Sequence, residues 1–346
     1  MERIYSFFWL IIFLFISFLF KKRLDSDGRQ SAFWLPLSFL SIHAIVWSYQ
    51  HNMLEIIFLP IALLTHHLYL KSLDKNRVLF NVLIGALLLA ALFAKGLVTL
   101  YPLAFPFWLA IFRLKVKIPR AIGDTIMQII PIAAGAILIY TSIPAAKVHL
   151  DHYVLHQLLS SLKEERIVVR RTFVLERAAI ESFIPVVLFL GALFVHYWKR
   201  WKDNPVKWTP WTSVWLAMGL SSILPICISP KQLAFYATPS LVYLCLFLLE
   251  IGRPMIRSLE GVRLPKIAKP AALGLLIVPL LLMITLSKVP LRDRQIQEEL
   301  KEISKRTGEN IFLGLNPKNE PAWMLKAYAY RLYRITLDTD IYKFKS

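Results

Sequence analysis

The sequence predicts an all-α polytopic membrane protein with about ten transmembrane helices and a small α/β appendage at the C-terminus. Apolar residues make up 57% of the 346 residues, charged residues make up 18%, and the mean hydropathy is +0.54. A soluble domain of this size needs more polar surface than this composition supplies. Apolar runs of about 20 residues recur along the chain, and in lipid such runs satisfy their backbone polar groups as helices.

Ten apolar segments are long enough to cross a hydrocarbon layer of about 30 Å as helices. The fifth and the seventh are short. They lie near residues 4–20, 31–49, 53–70, 78–95, 97–112, 122–143, 182–198, 211–229, 233–251 and 270–287.

Short basic segments connect these runs and predict the orientation of the chain. The positive-inside rule places such segments in the cytoplasm. They occupy residues 21–29, 71–77, 113–120, 199–207 and 253–269. The net charge of +19 is scattered among such clusters. It therefore indicates an oriented membrane protein and argues against nucleic-acid binding.

The loop 144–181 and the tail after Pro290 are then expected on the non-cytoplasmic side. We expect a transmembrane helical bundle over residues 1–290 and a small soluble non-cytoplasmic segment over residues 291–346. Within the loop, an apolar residue recurs at every fourth position, which is typical of an amphipathic helix lying on the membrane surface. Those positions are Leu150, Val154, Leu158 and Leu162.

The tail has the composition of a soluble α/β segment. Ile296, Leu300 and Ile303 predict a helix that ends at Gly308. A strand at 310–315, a turn, a second helix at 322–333 and a second strand at 334–338 follow. This appendage is short for an independent fold.

Cysteine usage and the lack of known motifs exclude several classes of protein. Cys227 and Cys245 both lie in apolar runs, and two cysteines cannot form a disulfide framework or a zinc site. The sequence contains no P-loop, no Rossmann glycine pattern, no GxSxG and no HExxH. A soluble cofactor enzyme is therefore not expected.

Three ionisable residues at predicted outer helix ends are candidates for chemistry. Lys95 ends the fourth predicted span, and Lys231 lies between the eighth and the ninth. Each could simply extend its ammonium to the headgroups, but two lysines at one face also suit a phosphate. Glu55, one turn inside the third span, is either functional, paired with a cation such as His51, or a helix cap.

Histidines supply weaker candidates. His152 and His156 share a face of the loop helix, beside Tyr153 and Gln157, and His149 is one turn earlier, but no third metal ligand is compelling. A role at the membrane interface is the expectation for these four residues. No metal site is predicted, and a divalent metal ion is left open.

Three stretches, in order, resemble a known family. "NMLEIIFLPIALLTHHLYLKS" resembles its span that opens with an acidic residue and ends in a basic turn. "LLAALFAKGLVTLYPLAFPF" resembles its "KG…P" segment. "ISPKQLAFYATPSLVYLCLFL" resembles its "K…YxxPxxP" segment, without the second proline. The family is that of the GT-C membrane glycosyltransferases, in particular the branch of the protein O-mannosyltransferases and the lipid A aminoarabinose transferase. The resemblance covers roughly residues 20–250.

The resemblance implies a function and a set of site residues. It implies transfer of a sugar from a polyprenyl-phosphate donor to a glycan, lipid or protein acceptor at the outer membrane face. Lys95 and Lys231, with Tyr236 close by, would bind the donor phosphate, and a carboxylate would deprotonate the acceptor hydroxyl. Glu55 is the candidate for that carboxylate. The implied location is the bacterial cytoplasmic (inner) membrane.

In one respect the sequence departs from the family pattern. The family carries its catalytic carboxylate in the first outer loop, and the present sequence shows no acidic outer loop before Glu55. We therefore expect that the first span and this loop are missing, and that the chain by itself is catalytically incomplete. Two alternatives remain, a transporter or flippase of lipid-linked saccharides and a non-catalytic membrane scaffold.

Overall fold

A computed structural model describes residues 2–25, 31–50, 53–152, 154, 170–198, 208–228, 232–260, 294–308, 311–314 and 323–338. Most of these residues are helical, as the sequence predicts. The chain divides into two compact units, Met1–Arg263 and Leu264–Ser346. The predicted boundary between residues 290 and 291 lies outside the described residues.

Helices make up the described part of the first unit. Short 3₁₀ segments occupy Ser31–Phe33, Leu97–Ala104 and Ala234–Ala237. The α-helices are α1 (Glu2–Leu24), α2 (Trp34–Leu40), α3 (His43–Gln50), α4 (Glu55–Ser72), α5 (Arg77–Lys95), α6 (Phe105–Ile111), α7 (Ile118–Ser142), α8 (Pro144–His152), α9 (Phe173–Trp198), α10 (Pro210–Cys227), α11 (Thr238–Ile251) and α12 (Arg253–Glu260).

Four of the described helices are long and apolar enough to cross a membrane, which indicates a membrane protein. They are α5, α7, α10 and the Ile4–Leu24 part of α1. Each coincides with a predicted span. α4 also covers a predicted span, whereas the span at 270–287 lies outside the described residues. A total of ten transmembrane helices stays a prediction.

The predicted span at 31–49 is wrong as a single helix. It consists of a 3₁₀ turn followed by α2 and α3, with a break at Ser41–Ile42. The hydroxyl of Ser38 donates to the carbonyl of Leu35, and that of Ser41 donates to the carbonyl of Ser38, both at 2.7 Å. These side-chain bonds compete with the helical ladder and favour the break.

The predicted span at 97–112 also differs from a continuous α-helix. Its first half, Leu97–Ala104, is a 3₁₀-helix, and α6 supplies the second half. Pro102 and Pro106 lack backbone N–H groups and so cannot donate to an α-helical ladder. At 2.0 Å per 3₁₀ residue and 1.5 Å per α-helical residue, the two pieces together extend about 26 Å.

α9 begins earlier than predicted. The sequence places residues 173–181 in the outer loop and starts the span at residue 182, but the helix starts at Phe173. Val174 is fully buried in a small apolar cluster with Ile223, Ile226 and Ala237. The first turns of α9 therefore pack against the end of α10 and the following 3₁₀ segment, which explains why they are ordered as helix.

α5 and α7 approach each other closely at a glycine. A Cβ atom added to Gly85 would lie 2.2 Å from Cγ of Pro131 and 2.4 Å from the carbonyl oxygen of Gln128. Only a residue without a side chain permits this contact, which is how small residues bring transmembrane helices together.

Buried ionic groups join α1 to α11 and α12 at the predicted cytoplasmic end. Lys21 Nζ lies 2.6 Å from Asp25 Oδ2, and Arg253 pairs with both Asp25 and Glu250. Thr209, before α10, donates to Glu250 at 2.9 Å. Burial raises the pKa of Asp25, but Lys21 and Arg253 together hold it below its ordinary value.

The second unit confirms the predicted α/β appendage. It contains α13 (Arg294–Thr307), β1 (Phe312–Gly314), α14 (Trp323–Tyr333) and β2 (Thr336–Asp338). β1 and β2 are parallel, with Leu313 opposite Leu337. Leu300, Ala329 and Ile335 form its buried apolar core. Gly308 follows the last residue of α13, and its φ of +85° suits glycine. The predicted turn between the strand and the second helix lies outside the described residues.

Candidate functional site

The start of α4 and the end of α5 lie side by side at the predicted outer face. Only the short connection at residues 73–76 separates the two helices, so they pack as antiparallel neighbours. The first residue of α4 is therefore next to the last residue of α5. Those two residues are Glu55 and Lys95, the two candidates that the sequence places at this face.

Glu55 and Lys95 form a buried ion pair. Nζ of Lys95 donates to Oε1 of Glu55. The Glu55 side chain is 1% exposed and that of Lys95 is 11% exposed, so water screens this pair little. Lys95 is therefore more than a lysine extended to the headgroups, because its charge is held inside the protein by a carboxylate.

Two aromatic rings lie near the Lys95 ammonium. Nζ lies 4.9 Å from the ring centroid of Tyr236 and 5.8 Å from that of Phe235. Trp47 of α3 stacks on Phe235 with centroids 6.2 Å apart. Both distances from Nζ are within the range of cation–π attraction. The structure thus brings Tyr236 to Lys95, as the resemblance implies.

Gly96 ends α5 in a conformation that only glycine adopts easily. Its φ is +85° and its ψ is −166°, and its N–H donates to the carbonyl of Leu92 at 2.7 Å. The Thr99 hydroxyl in turn donates to the carbonyl of Gly96 at 2.8 Å. This sharp exit fixes the end of α5 and hence the backbone that carries Lys95.

Gln232 ties the segment before Tyr236 to the start of α9. Its side-chain carbonyl accepts from the N–H of Val174, and its amide donates to the carbonyl of Arg171, both at 2.9 Å. Gln232 is 2% exposed. These two bonds connect the loop before α9 with the chain that leads to the aromatic rings.

Five further candidates cannot be placed by side chain. Lys231, Tyr153, His156 and Gln157 lie outside the described residues, and for His152 the backbone alone is described, at the end of α8. Their predicted roles stay predictions. In the part of the chain that the structure describes, no three His, Cys, Asp or Glu side chains are grouped to hold a metal ion.

Two further buried polar groups were not among the candidates for chemistry. His66 Nε2 lies 2.8 Å from the Tyr243 hydroxyl, which donates to Tyr101 at 3.2 Å. Asp124, fully buried in α7, accepts from Arg77 at 2.5 Å and from Tyr69 at 2.9 Å. The sequence signal for the second group was an aspartate two residues inside a predicted span.

The chain matches no protein-family model, no curated protein and no solved structure. The arrangement around Lys95 is therefore the main basis for a functional proposal. Chemically, it combines one ammonium, one carboxylate and two aromatic faces at the end of a helix that can cross a membrane.

Proposed function

We propose that this protein is a GT-C type membrane glycosyltransferase that takes a sugar from a polyprenyl-phosphate donor. The observation that carries the proposal is the buried Lys95 ammonium, held between Glu55 and the Tyr236 ring at the predicted outer face. The proposed location is the bacterial cytoplasmic (inner) membrane. Lys231 is proposed as a second phosphate ligand.

The Lys95 ammonium has donor capacity left for a phosphate. A lysine ammonium has three N–H donors, and Glu55 accepts one of them. A charge-assisted bond to phosphate contributes about 1.5–3 kcal/mol. Phe93 and Leu97, close to Lys95 in sequence, are exposed apolar residues. They supply surface for the prenyl chain of the donor.

Glu55 stays close to the donor in this proposal. Because the Lys95 ammonium has three N–H donors, it can bind the carboxylate and the donor phosphate at the same time. Glu55 is thereby held next to the reacting sugar, where it is available to the acceptor hydroxyl.

The transfer step follows from these roles. Glu55 takes the proton of the acceptor hydroxyl, and the acceptor oxygen forms a bond to the anomeric carbon. The bond between that carbon and the phosphate oxygen breaks, and polyprenyl phosphate leaves with the bonding electrons. A general base at this position contributes about 10²–10⁴-fold to the rate.

Binding of a polyprenyl-phosphate sugar to the purified chain tests the phosphate site. Lys95→Ala is expected to weaken binding about 10- to 100-fold, and Lys95→Arg is expected to retain part of it. Lys147→Ala is the matched control, because Lys147 lies 5.7 Å from the Tyr140 ring but is exposed. Equal binding by Lys95→Ala and the parent chain would refute the proposal.

A turnover assay separates the proposal from its alternatives. Sugar transfer in liposomes that Glu55→Gln abolishes supports the enzyme and its base. Donor movement between leaflets without transfer supports a flippase of lipid-linked saccharides. Donor binding with neither transfer nor movement supports a chain without catalysis, which is either the incomplete enzyme that the sequence predicts or a non-catalytic scaffold.

A further inference from the structure

A second charged group lies at the opposite, predicted cytoplasmic end of the bundle. Asp124 of α7 is fully buried and carries two arginine partners. Arg77 Nε lies 2.5 Å from Oδ1, and Arg120 Nε lies 3.6 Å from Oδ2. Tyr69 donates to Oδ2 at 2.9 Å. The carboxylate thus fixes two guanidiniums side by side.

The charges of this group do not cancel. Two guanidiniums face one carboxylate, which leaves one positive charge at the ends of α5 and α7. The Arg77 and Arg120 side chains are 41% and 34% exposed, so this charge is at the surface. Asp124, at 0%, is beneath it and cannot meet a ligand from outside.

Both arginines keep donors for an external ligand. Arg77 uses Nε on Asp124 and Nη2 on the carbonyl of Arg120, and Arg120 uses Nη2 on the carbonyl of Ser72. Within the described residues, Nη1 of each guanidinium has no hydrogen-bond partner. The Nε of Arg120 is buried beside Asp124 and is not available to a ligand. Planar guanidiniums with free N–H groups match the geometry of a phosphate.

The seam between α5 and α7 beyond the arginines is apolar. On this flank of α7, Met127 follows Gly123 by about one helical turn and Ile130 follows it by about two. A Cβ atom on Gly123 would lie 3.1 Å from Nη2 of Arg77, so this glycine leaves room for the guanidinium. The exposed or half-buried side chains along this flank are Val78, Val82, Met127 and Ile130.

We propose that Arg77 and Arg120 bind the phosphate of an anionic phospholipid, whose acyl chains lie along the α5–α7 seam. The surplus positive charge selects an anionic headgroup over a zwitterionic one. The apolar flank selects a lipid over free phosphate, because inorganic phosphate gains nothing from it. This lipid site is separate from the proposed donor site at Lys95.

Electron paramagnetic resonance on the full chain in phosphatidylcholine vesicles tests this site. The probes are spin-labelled phosphatidylglycerol and spin-labelled phosphatidylcholine, and the measured quantity is their relative association constant. The parent chain is expected to prefer phosphatidylglycerol. Arg120→Gln is expected to lower this preference about fivefold, since one charge near the surface is removed while Arg77 still pairs with Asp124.

Arg113→Gln is the matched control, because Arg113 is an exposed arginine of the same basic segment with no described contact to Asp124. It should keep the preference. Val82→Trp, which fills the seam, should weaken retention of both lipids. The proposal is overturned if Arg120→Gln keeps the preference of the parent chain, or if Arg113→Gln loses as much of that preference as Arg120→Gln. It is also overturned if inorganic phosphate displaces the lipid completely.

Discussion

Removing the charge of Lys95 alone should destabilise the protein more than removing the charges of both Glu55 and Lys95. Lys95→Met leaves a carboxylate that is 1% exposed and has no other ion-pair partner among the described residues. Breaking a buried pair in this way costs about 3–5 kcal/mol, because the remaining charge stays desolvated. Glu55→Gln leaves the ammonium, which is 11% exposed and contacts two aromatic rings, so its cost should be smaller.

The double variant Glu55→Gln/Lys95→Met removes both charges and keeps side chains of similar size. Replacing a buried ion pair by uncharged groups is often nearly neutral. The loss in the double variant should therefore be smaller than the sum of the two single losses. The difference, the coupling free energy, should be at least about 3 kcal/mol.

Reversible unfolding in mixed micelles, followed by circular dichroism, measures the unfolding free energies of the parent, the two single variants and the double variant. Lys147→Met serves as the control, because the exposed Lys147 has no described carboxylate partner and should change stability little. Additive losses, with a coupling below about 0.5 kcal/mol, would refute a buried, mutually dependent pair.

Three further predictions concern the turn after α5, the ionic group at Asp25 and the topology. Gly96→Ala should cost about 1–3 kcal/mol of unfolding free energy, since φ of +85° with ψ of −166° is strained for alanine, and an unchanged free energy would contradict this. Because the pKa of Asp25 is depressed, its stabilisation should be complete above the ordinary value of 3.8 and lost as pH falls through the lower folded value. Asp25→Asn should therefore be less stable than the parent at neutral pH and flatten the acid limb of the stability curve; a limb as steep as that of the parent would contradict it. In a background without native cysteines, an impermeant thiol reagent on intact cells should label Lys147→Cys but not Lys115→Cys, and the reverse pattern would overturn the orientation.

Composition and charge pattern predicted much of the fold. The basic segments and apolar runs located α1, α5, α7 and α10, and periodicity located both helices and both strands of the appendage. The breaks inside the apolar runs at 31–49 and 97–112 were harder to predict. They depend on serine and proline residues whose effects extend over only three or four residues, whereas the runs were recognised from their overall apolar composition.

The ion pair at the candidate site could not be read from local sequence. The nearest suggested partner for Glu55 was His51, whereas the partner is Lys95, 40 residues further along the chain. Local sequence patterns indicate which residues are neighbours on the same helix, but this contact joins two different helices. A usable signal was nevertheless present: in antiparallel neighbours the first residue of one span meets the last residue of the next.

The same reasoning applies to the missed Asp124. Its partner Arg77 begins α5, while Asp124 lies in the second turn of α7. Both residues are near the same ends of two spans that run in the same direction. Charged residues at equal depth on neighbouring spans are therefore worth pairing before tertiary structure is known.

The 3₁₀ segment Leu97–Ala104 has a mechanical consequence for the site. If these eight residues rewound as an α-helix, the segment would shorten by about 4 Å. Pro102 and Pro106 oppose this, because neither can donate to an α-helical ladder and the ring of each would clash with the carbonyl four residues before it. The segment therefore keeps a fixed length. It sets the spacing between Lys95, at the end of α5, and the start of α6.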